Sequence, residues 1–179
     1  MGQLVNGVWT KGSVSNNQKD GSFKRVDSVF RNEISVNDQV YKPETNRYHL
    51  YVSYACPWAH RTLIFRHLKK LENHISVDYV HPDMLENGWS FLKTFPKTTG
   101  DSLHDKKYIH EIYQISDKKV SSKATVPILW DKKTDTIVNN ESAEIIRIMN
   151  SAFNNITKNY DDYYPSSLRI EIDKINKVI

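Results

Sequence analysis

The 179-residue sequence contains one cysteine, Cys56, and that scarcity excludes a good deal. A disulfide framework within the chain is impossible, and so is a zinc site built from several thiolates. No apolar run approaches the roughly 18 residues that a membrane-spanning helix needs. Residues 1–10 are polar and mixed, without the basic-then-apolar order of a secretory signal, so a cytoplasmic location is the default expectation. Blocks of like charge are also missing. The net charge is +4, but Lys69-Lys70, Lys106-Lys107, Lys118-Lys119 and Lys132-Lys133 lie far apart and read as solvated faces. An anionic small molecule is therefore a more economical partner than a nucleic acid. His60, His67 and His74 recur every seven residues without carboxylates or thiolates in ligand patterns, so no metal is expected.

With 39% apolar and 26% charged residues, the chain has the make-up of one globular domain large enough for a real core. Residues 1–46 have few periodic apolar positions and read as an arm, with local structure expected around residues 23–34. Beyond them, Tyr48, Leu50 and Val52 alternate with His49, Tyr51 and Ser53, which is strand periodicity. Cys56-Pro57 then opens a helix, because proline at the first helical position loses no hydrogen bond. Ala59, Leu63, Ile64, Phe65 and Leu68 are expected to form its apolar side. A parallel strand follows at 75–80, then a long polar connection over 81–122, and a hairpin from strands at 125–130 and 136–138. Asn139 or Asn140 is expected to cap a helix that starts at Glu141. This order is that of a thioredoxin-like α/β sheet, provided the long connection supplies a middle helix. A further helix, from Pro165, places Leu168, Ile172, Ile175 and Ile179 on one face and needs a partner surface.

Three features carry chemistry. Cys56 lies where the first strand hands over to a helix, and the unpaired N–H groups of a helix start favour a thiolate. With no second cysteine, a mixed disulfide at Cys56 needs an external thiol such as glutathione to resolve it. Val126-Pro127 enters a strand, and in a thioredoxin-like fold such a proline exposes the backbone of Val126 beside the reactive sulfur, where it can pair with an extended peptide. Glu141-Ser142 opens a helix, offering a carboxylate for an ammonium and an N–H with a hydroxyl for a carboxylate. Each has a plainer reading: a buried structural cysteine, an ordinary proline at a strand start, and a stabilising helix cap. Trp89, standing alone in the polar connection, reads more often as a local packing anchor than as a ligand platform.

Several blocks resemble the glutathionyl-hydroquinone reductases, also called Xi-class glutathione transferases and related to fungal omega-like transferases. They are residues 47–53, Ala55-Cys56-Pro57-Trp58 continuing to 64, 125–131, 137–147, and Tyr164-Pro165 with Leu168, Arg169 and 171–173. Gly21, Phe23, Arg25, Phe30 and Arg31 are similar to the family's N-terminal block. The resemblance implies a thioredoxin-like domain with a mixed four-stranded sheet over 47–151, after the arm. It further implies a linker over 152–164 and the stub of a truncated all-helical domain over 165–179. It implies Cys56 as the nucleophile in the reduction of glutathionyl-hydroquinones, through a mixed disulfide with glutathione. Trp89 would stack on glutathione, Val126 ahead of Pro127 would pair with its backbone, and Glu141 and Ser142 would hold its γ-glutamyl end. Lys123 stands where the family usually has an arginine, and supplies charge without a bidentate fork. The helical domain carries the family's hydroquinone-binding aromatics and dimer contacts, so the alternative is a glutathione-binding fragment of weak activity.

Overall fold

The computed structural model describes residues 2–12 and 27–178. Gly21, Phe23 and Arg25 of the resembling N-terminal block, and Ile179 of the last apolar stripe, lie outside them. Two short strands come first, β1 (Gly2–Val5) and β2 (Val8–Lys11), where the sequence suggested only an arm. They pair antiparallel around Asn6-Gly7. Both turn residues have positive φ, 48° and 78°, the conformation for which Asn-Gly is favoured in two-residue hairpins.

The main sheet is built from β3 (Tyr48–Val52), β4 (Ile75–Tyr79), β5 (Ile128–Asp131) and β6 (Thr136–Asn139), in the order β4-β3-β5-β6. β3 pairs parallel with β4 across helix α1 (Pro57–Leu68), and antiparallel with β5, which forms the hairpin with β6. The alternation along β3 does not mark a solvent-facing side. In fact all five of its residues are buried, because central strands are covered on both sides. The long connection supplies α2 (Ile109–Ser116), which packs on β6, while α3 (Ser142–Ser151) packs on α1. Phe30, Arg31 and Asn32 run beside β6, with Asn32 N–H donating to Val138 O at 2.9 Å.

Two readings of the helices need correction. The inward face of α1 is Ala59 and Thr62, whereas Ile64 and Leu68 are exposed. Thr62 can be buried because its hydroxyl donates to Ala59 O at 2.7 Å. Lys69, expected on a solvated face, is 1% exposed, and its ammonium is hydrogen-bonded to the Asp161 carbonyl. The polar stretch after α3 contains a short helix, α4 (Asn154–Thr157), and folds back on the domain through Asn159 Nδ2 donating to Leu68 O. The last helix, α5 (Arg169–Asn176), buries no residue, with Ile170 85% exposed.

The β3–β5 pairing is locked at one end by an ion pair. Arg47 donates from Nε to Asp131 Oδ1 at 2.8 Å and from Nη2 to Oδ2 at 2.6 Å, both side chains being buried. Burial pushes the Asp131 carboxyl up. The Arg47 guanidinium, the Lys133 N–H and the Thr134 hydroxyl together outweigh it and hold the group below its ordinary range. Removing one partner leaves the other charge buried, so Asp131→Ala should cost about 3–5 kcal/mol in urea unfolding. A folded-state pKa below the unfolded one gives stability that is present at neutral pH and lost as pH falls through the folded value. Urea midpoints measured from pH 7 downward should therefore fall more steeply in the wild type than in Asp131→Asn.

Candidate active site

Cys56 is the residue that caps α1, with extended backbone (φ −102°, ψ 110°) and Pro57 next in the first turn. Its thiol donates to the Val126 carbonyl at 3.4 Å, and it is 9% exposed. The Val126-Pro127 peptide bond is cis. The two residues are seventy positions apart and meet because β3 ends where β5 begins, Tyr51 lying opposite Ile128. β5 starts at Ile128 rather than Thr125, since Thr125 is engaged elsewhere and Pro127 has no N–H to give the ladder.

A cleft of about 340 Å³ opens over this sulfur. Of the seven residues singled out from the sequence, Cys56, Trp89, Lys123, Val126, Pro127 and Ser142 line it. Glu141 stands beside it, between the lining residues Asn140 and Ser142. Its role as a cap was misassigned: Glu141, not an asparagine, caps α3, accepting from Ala143 N–H at 3.3 Å. Asn139 Oδ1 instead receives the Glu141 N–H at 2.7 Å, and Asn140 Oδ1 receives that of Phe30 at 3.1 Å. Glu141 also accepts from Ser28 Oγ at 3.1 Å and lies 3.7 Å from Arg61 Nη2.

Arg61 is the main residue that sequence reasoning missed. From α1 its guanidinium donates to Ser142 Oγ at 2.6 and 3.0 Å and lies over the Trp58 ring. Ser142 Oγ thus faces the cleft with its acceptor capacity used, which leaves its own proton for a ligand oxygen. No local spacing marks it: five residues on from Cys56 the helix has turned well past the face of the sulfur, and only the packing of α1 on α3 brings Arg61 to Ser142. Asp27 and Ser28 also line the cleft and come from the stretch read as an arm. Trp58 and Met84 stand half-exposed at its rim. The arrangement combines a thiol at a helix start, a cation at Lys123, a carboxylate at Glu141 and the N-terminus of α3. It suits a ligand that bears sulfur, carboxylates and an ammonium.

Comparison with known proteins shows the family. Residues 55–152 match the glutathione S-transferase, N-terminal domain family. The Escherichia coli (strain K12) glutathionyl-hydroquinone reductase YqjG is 48% identical over 98% of this chain and 56% of its own length. The glutathione-bound structure of YqjG superposes with a TM-score of 0.84 at 45% identity, over 98% of this chain and 54% of that one. The Saccharomyces cerevisiae Xi glutathione transferase ECM4 in complex with glutathione gives 0.81 at 41% identity, over 88% and 55%. The fold and the family match define a thioredoxin-like domain. The chain belongs to the glutathione S-transferase family, with the glutathionyl-hydroquinone reductases and Xi-class transferases as strongly similar relatives. It spans about half the length of the curated relatives it matches.

Behind the cleft, the buried Tyr113 hydroxyl ties its two walls together. It receives Thr125 N–H at 3.2 Å and Asn140 Nδ2 at 2.9 Å, and donates to Thr125 O at 3.1 Å. Tyr113→Phe strands two buried donors, and should cost about 1–3 kcal/mol in urea unfolding.

Proposed function

We propose that this chain is the glutathione-binding half of a glutathione-dependent thiol reductase that acts on glutathionyl-hydroquinones through Cys56. The observation that carries the reading is Cys56 Sγ 3.4 Å from the Val126 carbonyl, in a cleft also lined by Trp89, Lys123 and Ser142. The Cys56 thiolate attacks the glutathione sulfur of the conjugate. The sulfur–carbon bond breaks, the hydroquinone carbon takes a proton, and Cys56 is left joined to glutathione by a disulfide. A second glutathione thiolate attacks that disulfide, releasing oxidised glutathione and the Cys56 thiolate. The hydroquinone carbon is reduced while the conjugate's thioether sulfur and the thiol of one free glutathione are oxidised to the disulfide, so no further electron carrier is required.

In this scheme Trp89 stacks on the tripeptide, Val126 pairs with its backbone, Lys123 meets a carboxylate, and Glu141 and Ser142 hold the ammonium and carboxylate of the γ-glutamyl end. The fit of charges and the glutathione bound in two solved relatives support these roles. The name of the Escherichia coli relative supports the substrate class. We place the reaction in the cytoplasm, where glutathione keeps thiols reduced. The domain division is part of the proposal, with the exposed α5 assigned to a helical domain.

A second reading is favoured by the half-exposed Trp58 and Met84 at the rim of the cleft. In it, residues 1–179 bind glutathione but turn over conjugates weakly, because an apolar substrate has little wall to rest on. Turnover of glutathionyl-menadiol at the rate of a full-length relative would refute this second reading. Treatment with oxidised glutathione should place one glutathione on the wild-type chain and none on Cys56→Ser, by mass spectrometry. An unmodified wild type would sink the proposal. Ser142→Ala should weaken glutathione binding by about tenfold, the loss of one good hydrogen bond to a charged group.

A further inference from the structure

The hairpin β1–β2 contributes no residue to the cleft, yet it grips both segments through which the connection between β4 and β5 reaches it. On one side, Leu4 N–H donates to Ser122 O at 2.8 Å, and Ser122 N–H donates to Leu4 O at 3.1 Å. The turn adds Gly7 N–H to Val120 O at 2.9 Å and Asn6 N–H to Ser121 Oγ at 2.8 Å. Gly7 sits so close to the Lys118 carbonyl that a Cβ there would stand 1.8 Å from its oxygen. The strand-like pairing therefore ends one residue before Lys123.

On the other side, the Trp9 ring lies flat on His110, with centroids 4.3 Å apart and planes at 12°. Tyr108 stacks on the same imidazole at 5.2 Å. His110 Nδ1 lies 3.2 Å from Asn87 O, and a Cβ on Gly88 would stand 3.2 Å from the Trp9 ring. Trp9 thus abuts the backbone immediately before Trp89, whose carbonyl accepts Ile109 N–H at 3.0 Å. Lys11 reaches Glu86 at 3.0 Å in the same segment. Trp9 Nε1 has no hydrogen-bond partner among the described residues, so the ring is held by stacking and packing.

We propose that Trp9 is a positioning residue for glutathione. Seated on His110 against Gly88, it works with the Leu4–Ser122 pairing to hold Trp89 and Lys123 on the same cleft before ligand arrives. The inference rests on the reading of that cleft as a glutathione site. The physical basis is pre-organisation: a platform ring and a cation that are already placed lose less freedom on binding. A hairpin this short is marginal by itself, so its contacts with the domain stabilise both parties.

The test uses the whole 179-residue chain, with hydrogen exchange read by mass spectrometry and glutathione affinity read by calorimetry. Trp9→Ala should speed exchange over 84–90 and 121–124 while β3 and β5 stay protected. It should also weaken glutathione about fivefold to tenfold, from the ordering now required on binding. Trp9→Phe, which keeps a stacking ring, should restore most of both; a purely structural loss would show up as a lower urea midpoint that tracks affinity in every variant. Unchanged exchange in Trp9→Ala would overturn the bracing. Faster exchange with unchanged affinity would overturn the positioning role. A wild type that binds no glutathione would instead overturn the reading of the cleft, and this inference with it. Should Trp9→Ala fail to fold, the exposed double variant Lys11→Ala with Ser121→Ala carries the same test: faster exchange over 84–90 and 121–124 supports the bracing, and unchanged exchange overturns it.

Discussion

Antiparallel pairing between β3 and β5 is the constraint on which the rest of this structure depends. It sets the end of one strand against the start of the other, so the residues just after β3 and just before β5 share one edge of the sheet. Cys56 and Val126 meet there, across seventy positions of sequence. At the opposite end of the same pairing lies the Arg47–Asp131 bridge, buried and bidentate. A buried pair of this kind adds little net stability over an apolar pair of the same size. Its effect is on register: a one-residue slip would bury two separated charges and move the sulfur away from the carbonyl.

The cleft is assembled from segments that have no reason to be near one another apart from the fold. The start of α1 brings Cys56, the start of α3 brings Ser142, and the connection between β4 and β5 brings Trp89 and Lys123. Tyr113, at the middle of α2, fastens two of these segments from behind through one hydroxyl. Two helix starts at one end of the sheet give a cluster of backbone N–H groups, an electrostatic character that favours an anion. Arg61 adds to it by fixing Ser142 from the neighbouring helix.

Much of this was readable locally. A strand followed by Cys-Pro, a Val-Pro ahead of a strand and Glu-Ser at a helix start are each short-range patterns; the first stands as expected, while β5 begins only after Pro127 and Glu141 caps α3 instead of opening it. The hairpin has an equally local signal in Asn6-Gly7, but its flanking residues are too few and too polar to show the apolar alternation of a strand pair. The inward face of α1 was not readable. Ile64 and Leu68 look like core residues in a list, and Thr62 and Lys69 do not, yet burial follows the direction the helix faces. Thr62 and Lys69 find acceptors in Ala59 and Asp161 that no sequence window reveals. The capping of α3 by Glu141 in place of an asparagine has the same origin, because both asparagines are committed to other chain segments.

The sequence by itself determined the kind of elements, their order and the placing of the lone sulfur at a strand-to-helix junction, because these depend on periodicity and on residues a few positions apart. Tertiary structure alone decided which carbonyl faces that sulfur, which arginine holds Ser142, and which ring stands against Gly88. Those contacts join positions tens of residues apart, and only the pairing of strands and the packing of helices brings such positions within hydrogen-bonding distance.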